Sequence, residues 1–573
     1  MLSNQINPRL GTYSPNPHKT ISIPLFQHHL LRYFIALTTL ALLLLVSTSY
    51  VDNTASTKEN GMEYFAPACV DSLRDILSDS IITSDLAVSG ERIIVLESVK
   101  QFYRLNDFRP VWTHTRGLTR RASALVELIA QARYYGLEPL HYHYSAIREL
   151  QHTLSLKDMD HADALKTDLE ILMTDAALSF MINLRAGYMA HDSALASENW
   201  LPDLPATLLQ GIMQGQLQQE ILSMQPGFKE YQRLQKATAK FVQHSHITDQ
   251  WGEICYPSND SVALRHQVRK ALLALGYLDK DQQDDMVDAL KVFQHYHGLT
   301  ADGNPGANTI EALRQSTLDR YRKLALNLDR LRKQSTSDTT MLYVNIPSYQ
   351  LKIYRHNTLI DTFRVIVGHP SSPTPLFNGN METIIVNPVW YVPRSIAMSE
   401  ILPKIKSDTG YLRRNGFKIL DGNYRAVNES SLDLEGMSAD NFNYTLRQSR
   451  GSDNALGHVK FIISNPYAVY IHDTPGRTLF NKDIRAYSHG CIRLKDPERL
   501  ASYIVREINA EEADLAQMIE NGRHYEINIA ASLPVYIRYI TCEADDDGNV
   551  FYYKDIYGLD EREMQAFIPL MGI

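Results

Sequence analysis

The spacing of hydrophobic residues changes near residue 340 and divides the chain into a helical part and a strand-rich part. Before that point, apolar residues recur at helical spacing in Ala122–Ala132 and Asp163–Leu184. After it, apolar and polar residues alternate in Tyr349–Tyr354 and continue through Thr358–Val367, which predicts a β-hairpin. The pattern therefore predicts a multidomain α+β protein in which helices precede strands.

A small unit of three helices is predicted within residues 261–315. Its first helix carries apolar residues on one face and ends at Gly276. The second helix covers Met286–His297, and a short third one begins near Thr309. A charged helix over Leu318–Lys333 then connects this unit to the strands.

Further strands are predicted in the second half of the chain, at Glu382–Trp390, His458–Ile463, Ala468–His472, Pro534–Tyr539 and Val550–Tyr553. Residues 393–450 interrupt this series and are largely polar from Asp421 onward. We therefore treat residues 393–450 as an insertion, a name kept below.

The first 51 residues differ from the rest of the chain in their charge and in the distribution of their apolar residues. They contain no Asp or Glu, and they carry Arg9, Lys19 and Arg32 ahead of the apolar run Phe34–Val46. A basic flank before a short apolar run predicts an export signal. Extending the run through Tyr50 leaves an uncleaved membrane anchor open. We expect the remainder of the chain to lie in the periplasm or cell envelope.

The net charge and the cysteine content limit the partners and the disulfide bonds that the chain is expected to have. The 573 residues include 57 basic and 65 acidic side chains, a net charge of −8, so a nucleic-acid partner is not expected. In an oxidising compartment the four cysteines, Cys69, Cys255, Cys491 and Cys542, predict two disulfides. If Cys491 stays a thiol, one bridge remains among the other three.

No metal or cofactor is expected. The cysteines show no CxxC spacing. The pairs His141-x-His143 and His295-x-His297 lack the companion residues of a metal motif. No serine has a lysine three residues later, which argues against penicillin-binding chemistry.

The segment Ser488-His489-Gly490-Cys491 is the strongest chemical signal. A cysteine attacks as its thiolate, and a nearby imidazole can lower the pKa of the thiol. Gly490 permits a tight turn that exposes amides for an oxyanion hole. His472, at the end of a predicted strand, is placed to act as a base. Taken alone, this motif also fits a buried, inert cysteine.

The spacing from His472 to Ser488-His489-Gly490-Cys491 resembles the signature of the L,D-transpeptidase catalytic domain of the YkuD type. Further segments look like the large multidomain YcbB-type branch: Asn387–Pro393, Asn454–Gly457, Val459–Phe461 and Tyr470–Pro475. Residues 261–315 resemble its peptidoglycan-binding module. The resemblance implies a helical scaffold domain (65–255), the binding module (258–318), a linking helix (319–338), a β-rich catalytic domain (339–525) with a capping subdomain at 393–450, and a C-terminal extension (526–573).

The resemblance also implies a reaction. Cys491 would attack a diaminopimelate carbonyl in a tetrapeptide stem and expel D-alanine, and a second diaminopimelate amine would complete a 3→3 cross-link. His472 would move the protons, and the amides of His489, Gly490 and Cys491 would form the oxyanion hole. In the family, a main-chain carbonyl at the position of Asp473 orients the histidine. The Asp473 carboxylate is the alternative left open here.

The remaining site residues each have two interpretations. Arg493 either binds a substrate carboxylate or anchors its loop, or it is a surface ion-pair residue. Ser488 either supports the loop by hydrogen bonding, which is the expectation here, or acts as a second nucleophile. Trp390 and Tyr391 either line the donor groove or belong to the core. The insertion is expected to cover the site as a lid.

Peptidoglycan stem peptides are the implied substrates, and cell-wall synthases and an N-terminal membrane contact are the implied partners. Three other functions remain open at this stage: an L,D-carboxypeptidase, a hydrolase that releases wall proteins, and a non-catalytic wall-binding scaffold.

Overall fold

The computed structural model describes residues 67–78, 86–156, 162–188, 203–279, 285–334, 340–408, 410–438, 440–509 and 513–571. The export signal predicted at residues 1–51 lies outside them. Within the described ranges, no helix is both long and apolar enough to cross a membrane.

The first part of the chain is helical, as predicted, with α1 Pro67–Ser78, α2 Leu96–Leu105, α3 Arg120–Ala130, α4 Tyr144–Leu156, α5 Ala162–Ala186, α6 Leu204–Gln214, α7 Leu217–Leu222 and α8 Lys229–His244. Two short hairpins interrupt it, β1 Ala87–Val88 with β2 Glu91–Arg92 and β3 Thr113–His114 with β4 Gly117–Leu118. Helix α5 is buried almost throughout, because other helices pack around it. Its buried Glu170 accepts hydrogen bonds from the amides of Val111, Trp112 and Thr113, which satisfies the carboxylate.

The predicted three-helix unit is present as α9 Ser261–Ala274, α10 Met286–Tyr296 and α11 Ala307–Leu313, around its own apolar core. Gly276 follows α9 at a φ of +75°, the left-handed conformation that ends many helices. Helix α12, Thr317–Arg332, then passes through the interior of the protein. Its Asp329 is buried and accepts a hydrogen bond from the Tyr188 amide at 2.5 Å. The linking helix is therefore also a core element.

The second part of the chain forms one large sheet from β5 Thr340–Asn345, β6 Gln350–Arg355, β7 Thr358–Gly368, β8 Phe377–Val386, β12 Val459–Ile463, β13 Tyr470–His472, β14 Ala486–Ser488, β15 Ile492–Leu494, β16 Tyr525–Asn528 and β17 Pro534–Arg538. The strand order is β12-β13-β15-β7-β6-β5-β17-β8-β16, and β8 also pairs with β12, so the pairing closes on itself. Strand β17 lies between β5 and β8, although its residues fall in the predicted C-terminal extension. The boundary predicted at residue 525 thus crosses the sheet.

The insertion forms a separate layer with its own apolar core. A three-stranded sheet joins β9 Trp390–Tyr391, just before the insertion, to β10 Phe417–Leu420 and β11 Thr445–Gln448. A continuous helical segment comprises α13 Arg394–Ile396, the π-helical Ala397–Ile401 and α14 Leu402–Ser407, and α15 Tyr411–Arg414 follows. The sequence pattern did not predict this sheet.

The remaining elements are α16 Pro497–Tyr503, continued by the π-helical Ile504–Ile508, α17 Leu515–Glu520, the hairpin β18 Cys542–Ala544 with β19 Val550–Tyr552, and α18 Leu559–Met571. All four cysteines are free thiols. The predicted disulfide among Cys69, Cys255 and Cys542 was therefore wrong. Cys69 and Cys542 are buried in different apolar clusters, while Cys255 is exposed.

Candidate active site

Two adjacent parallel strands bring the predicted site residues together. Strand β13 ends at His472, and Cys491 immediately precedes β15. His472 is the register partner of Arg493 in β15 and of Lys460 in β12. Register partners point to the same face of a sheet and lie side by side. The imidazole is therefore flanked by a cation on each neighbouring strand.

Tyr470 completes this group. It lies two residues before His472, on the same face of β13, and its main-chain amide and hydroxyl both donate hydrogen bonds to the Cys491 sulfur. The Lys460 ammonium lies 3.9 Å from the centre of the Tyr470 ring. We call Lys460, Tyr470, His472, Cys491 and Arg493 the site face. Neither Lys460 nor Tyr470 was identified as a site residue from the sequence.

The main chain fixes the tautomer of His472. Its Nδ1 lies 2.5 Å from the main-chain oxygen of Asp473. A carbonyl oxygen can only accept, so Nδ1 carries the proton and Nε2 keeps its lone pair. The geometry thus places the carbonyl, rather than the carboxylate, of Asp473 on the imidazole.

The Asp473 carboxylate is engaged elsewhere. It accepts the amides of His458 and Thr474 at 2.8 and 2.7 Å, and the Arg477 guanidinium lies 2.6 Å away. Gly457, at a φ of +57°, allows this approach, since a Cβ there would lie 2.1 Å from the carboxylate. Asp473 therefore holds the end of β13 in place while its carbonyl orients the histidine.

Burial sets the protonation states of Cys491 and His472. Burial, followed by the Arg493 and Lys460 cations, lowers the pKa of His472 from 6.5 to about 3. Burial raises the pKa of the Cys491 thiol, although Tyr470 and both cations oppose this. At neutral pH the resting pair is therefore a thiol and a neutral imidazole. Desolvation by burial therefore outweighs the nearby positive charges in setting the pKa of the thiol.

Hydrogen bonds shape the Cys491 loop, residues 488–491. The Ser488 hydroxyl donates to the Cys491 carbonyl and accepts the Gly490 amide at 3.2 Å. Gly490 has a φ of +108°, which side-chain-bearing residues rarely adopt. Within the described part of the chain, the amides of His489 and Cys491 make no hydrogen bond. Two of the three predicted oxyanion donors are thus available, while the Gly490 amide is already occupied.

Two residues outside the motif support this loop. The buried Thr374 hydroxyl donates to the Gly490 carbonyl and accepts the Gly368 amide, both at 2.9 Å. The Tyr557 hydroxyl, from the C-terminal part of the chain, accepts the Thr374 amide at 3.1 Å and donates to the Gly368 carbonyl at 2.7 Å. Neither residue carried a sequence signal, since Thr374 reaches Gly490 across 116 positions and the partners of Tyr557 are more than 180 positions away.

The insertion reaches the same loop. The Glu400 carboxylate lies 2.5 Å from Nε2 of His489, and both side chains are about half exposed. Glu400 also acts electrostatically on the Arg493 guanidinium. Arg493 is half-buried and makes no ion pair with a described residue, and its role stays a prediction.

The two predicted aromatic residues, Trp390 and Tyr391, have different surroundings. Trp390 packs against Phe417 in the core of the insertion and also hydrogen-bonds the Tyr470 hydroxyl. Tyr391 points away, is 49 % exposed and contacts Tyr424. Trp390 is therefore both a core residue and a neighbour of the site face, whereas Tyr391 does not contact it.

One histidine of each His-x-His pair, His143 and His297, contacts other side chains. His143 lies between Glu91 and Asp175, at 3.0 and 2.7 Å. His297 stacks on Phe293 and lies 2.9 Å from the Arg320 guanidinium. Among the described residues, no group of three or more potential ligands could hold a metal ion.

Comparison with known families agrees with this arrangement. Residues 339–524 match the L,D-transpeptidase catalytic domain, YkuD. Residues 97–237 match a scaffold domain, and residues 261–313 match a family described as "Putative peptidoglycan binding domain". The α+β fold class with helical scaffold, binding module and β-rich catalytic domain is thereby confirmed.

One curated relative, a "Putative L,D-transpeptidase" of Haemophilus influenzae, is 35% identical over 289 residues. The match covers 50% of this chain and 57% of the relative, so the chain spans little more than half of that protein. Solved structures also match in part. An L,D-transpeptidase from Mycobacterium smegmatis is 14% identical, with 35% of this chain and 58% of that one covered and a TM-score of 0.17. L,D-transpeptidase 3 from Mycobacterium tuberculosis is 11% identical, with 35% and 61% covered and the same TM-score.

Proposed function

We propose, from the premise that the chain carries an L,D-transpeptidase catalytic domain and a peptidoglycan-binding domain, that it forms 3→3 cross-links between diaminopimelate residues of peptidoglycan. The observation that carries the proposal is the site face. There the free thiol of Cys491 and the imidazole of His472, whose Nε2 lone pair is available, belong to neighbouring segments of two paired strands. The substrate implied by both matched domains is a peptidoglycan stem peptide.

In the proposed first half-reaction, Cys491 attacks the carbonyl of the L-centre of diaminopimelate. Because the pair rests uncharged, His472 Nε2 takes the thiol proton as the carbon–sulfur bond forms. The amides of His489 and Cys491 stabilise the developing oxyanion, a contribution of about 3 kcal/mol for each donor. Lys460 and Arg493 further favour negative charge at this position.

The carbon–nitrogen bond to D-alanine then breaks, and His472 returns its proton to the leaving amine. The product is a thioester on Cys491. In the second half-reaction, a diaminopimelate amine from another stem attacks the thioester, loses a proton to His472 and releases the thiol. Ser488, Asp473, Thr374 and Tyr557 act indirectly by fixing the two reacting side chains.

The remaining roles are also proposals. Arg493, which lacks an ion-pair partner among the described residues, binds a carboxylate of the donor stem. Trp390 borders the donor groove through its contact with Tyr470, and the insertion acts as the cap over the site. The protein works in the periplasm or cell envelope, where peptidoglycan lies.

Product analysis tests the function. Purified protein is incubated with disaccharide-tetrapeptides, and the muropeptides are separated and weighed. We expect 3→3 cross-linked dimers, and none with Cys491→Ala. Tripeptide monomers without dimers would instead indicate an L,D-carboxypeptidase or a related hydrolase. An unchanged substrate would favour the wall-binding scaffold.

A further inference from the structure

We propose that Glu400 receives the ammonium group of the acceptor stem and thereby determines whether the thioester yields a cross-link or is hydrolysed. This inference rests on the proposed function and adds an acceptor-recognition residue to it. The residue lies in the insertion, outside the sheet that carries the site face.

Position is the first argument. The Glu400 carboxylate lies 2.5 Å from Nε2 of His489, two residues before Cys491 in the same loop. It also acts on Arg493, which belongs to the site face and interacts electrostatically with Cys491. About 41 % of the Glu400 side chain is exposed, so a stem peptide can reach it without displacing buried groups.

Charge is the second argument. The site face carries Lys460 and Arg493, a field that attracts donor carboxylates and repels an acceptor that arrives as a cation. The Asp473 carboxylate cannot offset this, since it is buried and occupied by Arg477 and two amides. Glu400 supplies negative charge at the rim of an otherwise positive site.

The chemistry balances with one acceptor amine. The ammonium binds Glu400, and one of its protons passes to solvent. The neutral amine attacks the thioester, so a carbon–nitrogen bond forms and the carbon–sulfur bond breaks. A second nitrogen proton passes to His472 Nε2 and then to the departing Cys491 sulfur. Water has no charge for Glu400 to recognise, which is why the residue favours transfer over hydrolysis.

The test compares Glu400→Gln with wild type in two assays of the full chain. The first measures the rate of carbapenem adduct formation by intact mass, which reports on acylation. The second measures the ratio of cross-linked dimer to tripeptide formed from tetrapeptide muropeptides. Glu429→Gln, an exposed glutamate of the same insertion, is the matched control.

We expect a fall of about fivefold in the dimer-to-tripeptide ratio, the effect of one exposed charge-assisted contact. Acylation should slow by less than this, because Glu400 also contacts His489 in the Cys491 loop, whereas the ratio reports only how the thioester is divided between amine and water. Glu400→Asp keeps the charge and should lower the dimer-to-tripeptide ratio less than Glu400→Gln does. The control Glu429→Gln should give the wild-type ratio.

An unchanged ratio in Glu400→Gln would overturn the proposal. Acylation slowed as much as cross-linking would also overturn it, since Glu400 would then act on the Cys491 loop. Wild-type protein that forms no adduct would overturn the proposed function itself, a result distinct from both.

Discussion

The protonation state of His472 gives the most quantitative prediction. Its pKa is about 3 in the folded protein, against an ordinary value of 6.5. Between about pH 3 and pH 6.5, His472 is therefore protonated in the unfolded chain and neutral in the folded chain. Because the unfolded state binds more protons, this residue makes stability fall as the pH drops below 6.5.

The magnitude follows from the pKa difference. When the pH is lowered from above 7 to 5, the part of the change that matters is the 1.5 units between 6.5 and 5. Each unit there lowers the free energy of unfolding by about 1.4 kcal/mol, so His472 alone accounts for a loss of about 2 kcal/mol. Replacing it with Gln removes this contribution. Urea unfolding at pH 7.5 and pH 5 should therefore show wild type losing about 2 kcal/mol more than His472→Gln.

Acylation provides the matching functional assay. Since His472 stays neutral down to about pH 4, the rate of carbapenem adduct formation should lack an acidic limb near pH 6.5. A limb centred near 6.5, together with identical pH dependence of stability in wild type and His472→Gln, would refute the assignment of a buried, uncharged imidazole.

Two further predictions concern the Cys491 loop. Thr374→Val leaves the Gly368 amide and the Gly490 carbonyl without this partner. Urea unfolding should therefore show a loss of about 2 kcal/mol in the free energy of unfolding, and adduct formation should slow. The control Thr383→Val removes one exposed hydrogen bond and should lower the free energy of unfolding by less than half as much. Gly490→Ala meets no atom closer than 3.6 Å but must adopt a φ of +108°, so the protein should fold with a loss of about 1–3 kcal/mol and acylate slowly. Wild-type acylation rates in both variants would contradict the support assigned to this loop.

The sequence predicted those parts of the molecule whose signals are local. Helices α9, α10 and α12 and strands β6 and β7 follow directly from hydrophobic spacing, and their bounds agree with prediction within a few residues. The motif at residues 488–491 and its spacing from His472 likewise singled out Cys491 and His472, and the pairing of β13 with β15 places them in neighbouring segments of the chain.

The parts that were missed depend on contacts between distant residues. Thr374 supports Gly490 across 116 positions, and Tyr557 reaches Gly368 across 189. The sheet of the insertion also escaped prediction, because its strands have two to four residues and its core forms only when they meet. The disulfide prediction failed for a related reason, since cysteine counts give no information on which cluster each thiol occupies.

The central claim is a covalent intermediate on one sulfur, and intact-mass spectrometry after brief mixing with a tetrapeptide stem tests it most directly. We predict a mass increase equal to the stem without its terminal D-alanine, mapped to Cys491 by peptide analysis and lacking in Cys491→Ala. An adduct of the same size on Cys491→Ala, or release of D-alanine by that variant at the wild-type rate, would contradict the account.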